Sequence, residues 1–433
     1  MKKILKKIVI VILKWEAKLV LKRYRPKIIA ITGSVGKTSS KDAIFAILSK
    51  FKTVRKSNKS YNSEIGLPLT ILGLPNGWNS LFIWAENVFR GLLLFLKKQS
   101  YPEYLILEVG VGKPGDITKN IAPWLHPDIV VITRFPEKPV HVEFFKSVNE
   151  IIEEKSALAY AVRPDGVLVL NHDDDKVYSL HNKSTSRTVS FGERENATYR
   201  VVHPRHLLKK YKGMEVVSSL NFKLEYKGNT FPVILPEVIG LHYVTISLAA
   251  IAVACEVGCD LLGSIEAIKD YRTPPGRLSL IDGINGSVII DDTYNSSPIA
   301  AEAAVEVLAE MKCNRKIAVL GDMLELGKFT EEEHKILGEK VASVANLLVL
   351  VGPRSKFIAE GAINKGFQQE NIYHFNSSLE TGNFLKNNVQ EGDIVLMKGS
   401  QGIRLEKAVE AIMEHPELKE KLLCRQEKQW KKR

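Results

Sequence analysis

Cysteine is scarce. Cys255, Cys259, Cys313 and Cys424 are the only four in 433 residues, too few and too scattered for a disulfide framework. Cys255 and Cys259 lie four apart in an Ala/Val-rich helical pattern, and the two further ligands that a metal site would need are missing nearby. These two read as buried structural thiols, and the small number of cysteines points to a reducing compartment. Long apolar runs are also missing. The longest near the start, residues 8–13, falls far short of the roughly 18–20 residues that span a bilayer. A second apolar stretch, LFIWAENVFRGLLLFL (Leu81–Leu96), is interrupted by Glu86, Arg90 and Gly91 and followed by Lys97 and Lys98. It reads as a buried core helix, with a membrane-docking face as the alternative. No small-residue cleavage site follows the first apolar segment, which argues against a secretory signal. Repeats and low-complexity tracts are absent. No nucleic-acid-binding module accompanies the basic charge, so no nucleic acid partner is expected.

What the chain has in excess is positive charge, a formal +12. Residues 1–27, MKKILKKIVIVILKWEAKLVLKRYRPK, hold ten Lys or Arg against the single acid Glu16. They read as a basic amphipathic helix with Trp15 near its middle. Such a helix either lies in the interface of an anionic membrane, lysines at the headgroups, or packs on the next domain with a solvated basic face. The 45% hydrophobic and 25% charged content fits a folded protein with sizeable cores. The length calls for two or three domains.

After Pro26, strand-like runs at 27–31, 104–109, 129–133 and 166–170 alternate with helical stretches such as 148–161. Within 188–236 short alternating segments suggest antiparallel strands inserted in the same domain, and a helix follows at 244–257. TPPGR, residues 273–277, punctuates the chain. Beyond it the rhythm resumes, with strands at 287–290, 316–320, 346–351 and 393–397. The expectation is an α/β protein: the N-terminal helix (1–27), a P-loop-type central domain with a mostly parallel sheet (28–272) and a Rossmann-like C-terminal α/β domain (273–433).

The most specific local signal is IIAITGSVGKTSS, residues 28–40. A strand ends at Thr32, and Lys37 and Thr38 open a helix. Glycines 33 and 36 let backbone N–H groups approach phosphate oxygens, and the helix start adds a favourable field. Gly33, Ser34, Val35, Gly36, Lys37, Thr38 and Ser39 are therefore the expected ATP-phosphate loop, Lys37 neutralising the outer phosphates and the Thr38 hydroxyl ligating Mg²⁺. The generic pattern has an earlier glycine where this chain has Ile31; the loop is the shorter T-G-x-x-G-K-T form.

That shorter loop is similar to the one in Mur ligases and folylpolyglutamate synthases, and further motifs follow in that superfamily's order. NKSYNSEIGLP (58–68) resembles its asparagine-rich segment, and LEVGVGKPGDI (107–117) its Mg²⁺-binding glutamate motif, here Glu108. His141 in PVHVEFF and Lys155 in EEKSAL resemble its second-metal histidine and often carbamylated lysine; NHDD (171–174) resembles a turn after a strand. The PGR arginine, Arg277, is similar to the one that contacts the γ-phosphate. DDTYNSSP (291–298), GDMLELG (321–327) with His334, and KGS (398–400) look like the branch that adds D-alanyl-D-alanine. The resemblance covers roughly residues 28–410.

It implies an ADP-forming ligation in which a substrate carboxylate takes the γ-phosphoryl group of ATP and an amine then displaces phosphate. Lys37 and Arg277 would supply fixed positive charge, Thr38 and Glu108 would hold one Mg²⁺, and Glu108, His141 and Lys155 a second. Asp292 would contact ribose and Asn295 adenine; Lys398 and Ser400 would face substrate. GDMLELG is either a structural turn or a substrate element. The implied partners are a small-molecule or lipid-linked peptide precursor and an amino acid or dipeptide, handled in the cytoplasm, with peripheral contact at the inner membrane face if the basic helix docks there.

Two departures stand out. The family's cell-wall enzymes carry a domain of about a hundred residues for the uridine nucleotide ahead of the phosphate loop, where this chain has room for one helix; a membrane-held helix serving a lipid-linked acceptor is one substitute. Its G-x-H-N-x-x-N helix start is here GLHYVTI (240–246), with Tyr243 and Ile246 in place of asparagines, and Thr133-Arg134 stands for T-N. Tyr243 either stacks on adenine or marks a weakened site. The competing functions are a poly-γ-glutamate-type amide ligase and a non-catalytic nucleotide-binding partner at the membrane; a P-loop transport or regulatory NTPase leaves the later motifs unexplained.

Overall fold

The computed structural model describes residues 3–57, 61–78, 80–135, 144–427 and 430. The chain divides into two compact units, residues 1–203, 223–233 and 244–271 in the first, and residues 204–222, 234–243 and 272–433 in the second.

The first sheet is built on β1 (Lys27–Thr32), β2 (Val54–Lys56), β3 (Tyr104–Glu108), β4 (Ile129–Ile132), β5 (Val167–Asn171) and β6 (Arg187–Gly192), joined by β7 (Tyr199–Tyr211), β8 (Met214–Tyr226) and β9 (Asn229–Pro236). The order is β2-β3-β1-β4-β5-β6-β7-β8-β9, parallel from β2 through β7. β1, β3, β4 and β5 are almost wholly buried, because helices on both faces of a parallel sheet demand continuous Ile, Leu and Val. The segment 187–192, grouped by its pattern with antiparallel strands, instead continues the parallel sheet beside β5.

Five helices of the first unit matter below: α1 (Lys3–Tyr24), α2 (Lys37–Leu48), α3 (Gly66–Leu72), α4 (Leu81–Leu96) and α5 (Val148–Tyr160). The core-packing reading holds in part for both apolar helices. α1 sends Val9, Leu13, Ala17 and Val20 into the core that holds Leu67 and Leu69 of α3 and Trp84 and Leu94 of α4. Among the described residues no helix is long and apolar enough to cross a membrane.

The second unit carries β10 (Ser279–Asp282), β11 (Val288–Asp292), β12 (Arg315–Gly321), β13 (Leu347–Val351), β14 (Ile372–Phe375) and β15 (Asp393–Lys398) in the order β10-β11-β15-β12-β13-β14. Only β10 runs antiparallel to its neighbour. One face packs Ile290, Leu320, Leu350 and Leu396 with Met214 and Val217; the other packs Ile289, Val319, Val349 and Val395 with Leu405 and Val409.

Candidate active site

In the first sheet, β1 lies between β3 and β4, so the chain leaves it in opposite senses and opens a crevice at its carboxyl end. The phosphate loop fills that end. Gly33 takes φ +145°, and a Cβ there would sit 2.0 Å from Thr133 Oγ1. Gly36, at φ +82°, caps α2 in the left-handed region that favours glycine. β4 supplies the buttress: the Thr133 hydroxyl donates to the Val35 carbonyl at 2.7 Å, and the Ser34 amide to the Arg134 carbonyl at 2.7 Å. Lys37 Nζ folds back to donate to the carbonyls of Gly33 and Ser34, at 2.8 and 3.2 Å.

Register places Glu108 beside Ile31, at the adjacent end of β3. Its carboxylate is 2% exposed. Thr38 Oγ1 donates to Oε2 at 3.0 Å, Asn62 Nδ2 to Oε1 at 3.2 Å, and Lys41 Nζ stands 3.9 Å from Oε2. Lys41 also stands 3.8 Å from Asp42, which Lys56 pairs at 2.5 Å. Burial holds the Lys41 ammonium below its usual range against the pull of Asp42 and Glu108. A hydroxyl and a carboxylate make a small all-oxygen donor set, as suits Mg²⁺, which keeps waters and takes phosphate oxygens as its other ligands.

α5 contributes two neighbours with different tasks. Lys155 Nζ donates to the Gly33 carbonyl at 2.8 Å and to Ser34 Oγ at 3.0 Å. Burial, with Lys37 adding repulsion, pushes its pKa well below the lysine range. Glu154 gathers the end of the glutamate motif: the amides of Gly115, Ile117 and the following Thr118 donate at 2.6, 3.0 and 3.2 Å, and the Thr118 hydroxyl at 2.6 Å. Burial alone would raise this carboxyl; the Thr118 hydroxyl and the three amides outweigh it and hold it low. His141 lies outside the described residues.

In the second sheet Asp292 and Lys398 are register partners on β11 and β15. Lys398 Nζ meets Asp292 Oδ2 at 2.5 Å and the Asn295 carbonyl at 3.0 Å, and is itself buried. Asp292 Oδ1 accepts from the Leu278 amide at 3.2 Å. Asn295 is exposed, its Oδ1 accepting from the Gln401 amide at 3.4 Å. The Arg277 guanidinium lies over the Tyr294 ring, 4.3 Å from its centroid. Ser400 Oγ accepts from the Leu324 amide at 2.8 Å, and His334 Nε2 from the Met323 amide at 2.9 Å. The Arg354 and Ser355 amides close on Asp322 Oδ1 at 2.9 and 2.8 Å. GDMLELG is thus cross-linked as a turn by Ser400, His334 and the loop after β13.

Tyr243 is 1% exposed, and its hydroxyl donates to the Arg277 carbonyl at 3.0 Å. Of the two readings open for Tyr243, stacking on a base does not fit a ring this deep, which has no open face. Ile246 packs by Gly36, about 3.8 Å from where a Cβ would stand. Four residues of this neighbourhood escape a sequence reading: Lys41, Asn62, Thr133 and Glu154. Lys41, one helical turn beyond Lys37, Asn62, in the asparagine-rich segment, and Thr133, at the T-N position, left a trace; Glu154 was assigned nothing.

The chain matches two family models, the Mur ligase middle domain over residues 31–84 and 87–254, and the Mur ligase glutamate ligase domain over residues 276–401. It is 30% identical over 402 residues to UDP-N-acetylmuramoyl-tripeptide–D-alanyl-D-alanine ligase of Bacillus subtilis (strain 168), covering 92% of this chain and 79% of that one. The Escherichia coli (strain K12) ligase of the same name is 27% identical over 393 residues, 90% of this chain and 77% of that one. A MurF crystal structure from Acinetobacter baumannii superposes with a TM-score of 0.75 at 25% identity, over 93% of this chain and 79% of that one. Thermotoga maritima MurF ligase in complex with ADP shares the fold, with a TM-score of 0.73 at 24% identity, over 93% of this chain and 83% of that one. By both domain models and these relatives, the chain belongs to the Mur ligase family of ATP-dependent acid–amino-acid ligases.

Proposed function

We propose that this ligase joins the carboxyl group of a cytoplasmic muramyl-type peptide precursor, nucleotide- or lipid-linked, to the amine of D-alanyl-D-alanine or a similar amino compound. The observation that carries the proposal is the Thr38–Glu108 contact, 3.0 Å long, at the mouth of a glycine loop that also presents Lys37. A substrate carboxylate oxygen attacks the γ-phosphorus of ATP, the bond to ADP breaks, and an acyl phosphate forms. The amine nitrogen then attacks the acyl carbon, phosphate leaves, and the nitrogen loses a proton. Neither step needs a side-chain nucleophile; positioning and charge neutralisation carry the rate.

Lys37 and Arg277 serve as the fixed cations, and the loop amides of residues 33–39 line the phosphates. Thr38 and Glu108 are the residues to hold Mg²⁺, which when bound neutralises phosphate charge. Burial, with Lys37 beside it, pulls the Lys155 pKa well down, which favours the free amine, the form that adds carbon dioxide to give a carbamate; with Glu108 and His141 it would then complete a second metal site. Asp292 and Asn295 are assigned to the nucleoside. Lys398 and Ser400, both buried, are assigned to substrate, Lys398 beside Asp292 and Ser400 at the GDMLELG turn. The names of the Bacillus and Escherichia relatives support the D-alanyl-D-alanine assignment.

The test is ADP release by the purified chain with ATP, Mg²⁺ and D-alanyl-D-alanine, run with a nucleotide-linked muramyl tripeptide and with its lipid-linked counterpart. Release that requires both the dipeptide and one acceptor is expected. ATP binding without release under any pairing overturns the substrate assignment.

A further inference from the structure

α1 and α4 pack side by side. Glu16 lies against Gly91, the Arg23 guanidinium stands 5.8 Å from the Phe95 ring centroid, and the Tyr24 hydroxyl donates to the Leu94 carbonyl at 3.0 Å. Each helix buries one stripe and turns the opposite one to solvent. On α1 the outward stripe runs Ile8, Val11, Trp15, Lys18, Lys22, at alternating spacings of three and four. On α4 it runs Phe82, Ala85, Phe89, Leu92, Leu96. The exposure is large for apolar side chains: Val11 65%, Trp15 54%, Phe82 78%, Phe89 61% and Leu96 60%. A neighbouring pair of stripes this apolar marks a surface that something covers.

Charge names the occupant. The two helices hold only two acids: Glu16 is buried and Glu86 is paired with Arg90 at 3.6 Å. At the C-terminal ends, where Tyr24 ties them together, Lys22, Arg23, Arg25, Lys97 and Lys98 are all exposed. Aromatic and aliphatic side chains beside an uncompensated basic cluster, with a tryptophan in the apolar stripe, complement an anionic headgroup layer over acyl chains. We propose that the outward face of α1 and α4 docks this ligase on the surface of an anionic lipid bilayer. The inference stands on these two helices alone and holds whichever acceptor the enzyme uses.

The experiment is co-sedimentation of the full chain with vesicles of phosphatidylglycerol and phosphatidylcholine, against vesicles of phosphatidylcholine alone. Binding to the anionic vesicles only, weakened by salt, is expected. Phe82→Ser with Phe89→Ser should cut the partition coefficient at least tenfold while the circular dichroism of the fold is retained. Lys97→Gln and Lys98→Gln, which leave the apolar stripes intact, should each reduce it about fivefold. Three results overturn the proposal: no binding to anionic vesicles, binding indifferent to both sets of changes, or a dimer in sedimentation velocity that the phenylalanine changes dissolve, which would give the face to a second copy of the chain.

Discussion

Asp291 is wholly buried. Its Oδ1 accepts from the Thr293 amide and hydroxyl at 3.1 and 2.6 Å, while Oδ2 has no partner. Burial pushes its pKa up to about 7; Thr293 opposes this, and Asp292 and Glu406 add to it. The folded state therefore holds a proton that the unfolded chain has released, so stability falls as pH rises from the ordinary 3.8 to about 7 and then levels. Asp291→Asn should gain on the parent over that window by up to ~4 kcal/mol, read from urea unfolding. A gap that does not vary with pH would remove the titration from the account. At Gly33, alanine would drive its Cβ into Thr133 Oγ1, 2.0 Å away, at a backbone angle L-residues avoid. The expected outcome for Gly33→Ala is a folded protein with ATP affinity at least tenfold weaker by calorimetry, about 1.4 kcal/mol. Residues of this loop are legible in sequence because their chemistry lies within one turn of chain. Asn62 and Thr133 are not, because what they touch depends on β1 lying between β3 and β4. The burial of Tyr243 is hidden for the same reason: it depends on the chain around Arg277, which its own neighbours in sequence do not reveal.

At the scale of elements, Glu154 shows one side chain organising a segment. Four donors converge on it from residues 115–118. Glu154→Ala leaves buried donors unmatched and should cost ~3 kcal/mol in urea unfolding. Because its folded pKa is depressed, the carboxylate contributes above its unfolded pKa, and that stability is lost as pH falls through the folded value. The difference between parent and variant should therefore narrow in acid. α1 behaves as a core element despite its charge: Leu13 is fully buried, and Leu13→Ala should destabilise the fold by about 3 kcal/mol, so truncating this helix tests folding rather than docking. The apolar strands and the amphipathic helices were readable from periodicity. The three residues of β2, the edge strands β10 and β14, and the parallel placement of β6 were not. Short edge strands carry little hydrophobic alternation, and pairing direction is set by the connections that the chain makes in space.

On the scale of the molecule, each unit closes its own hydrophobic core around a largely parallel sheet. Ligand that binds only the folded first unit should raise its unfolding transition, by ~2.7 kcal/mol at a hundredfold excess over Kd. ATP with Mg²⁺ is expected to give that increment in thermal unfolding. Glu108→Gln should keep most of the effect of ATP alone and lose the part that Mg²⁺ adds; a variant stabilised by Mg²⁺ like the parent would take Glu108 out of the metal site. The α/β class and the two sheets follow from the strand–helix alternation. The assignment of residues 204–222 and 234–243 to the second unit has no sequence signature, because the same strands carry residues of both units.

That sharing has a genetic consequence. The polypeptide changes allegiance at residues 203, 222, 233, 243 and 271, so no single cut divides it into two self-sufficient pieces. A gene fragment ending after Tyr271 would strand Met214, Val216, Val217 and Ile239 without the side chains they pack against. A single-breakpoint exchange after Tyr271 is therefore expected to break the core that these residues share with the rest of the second unit.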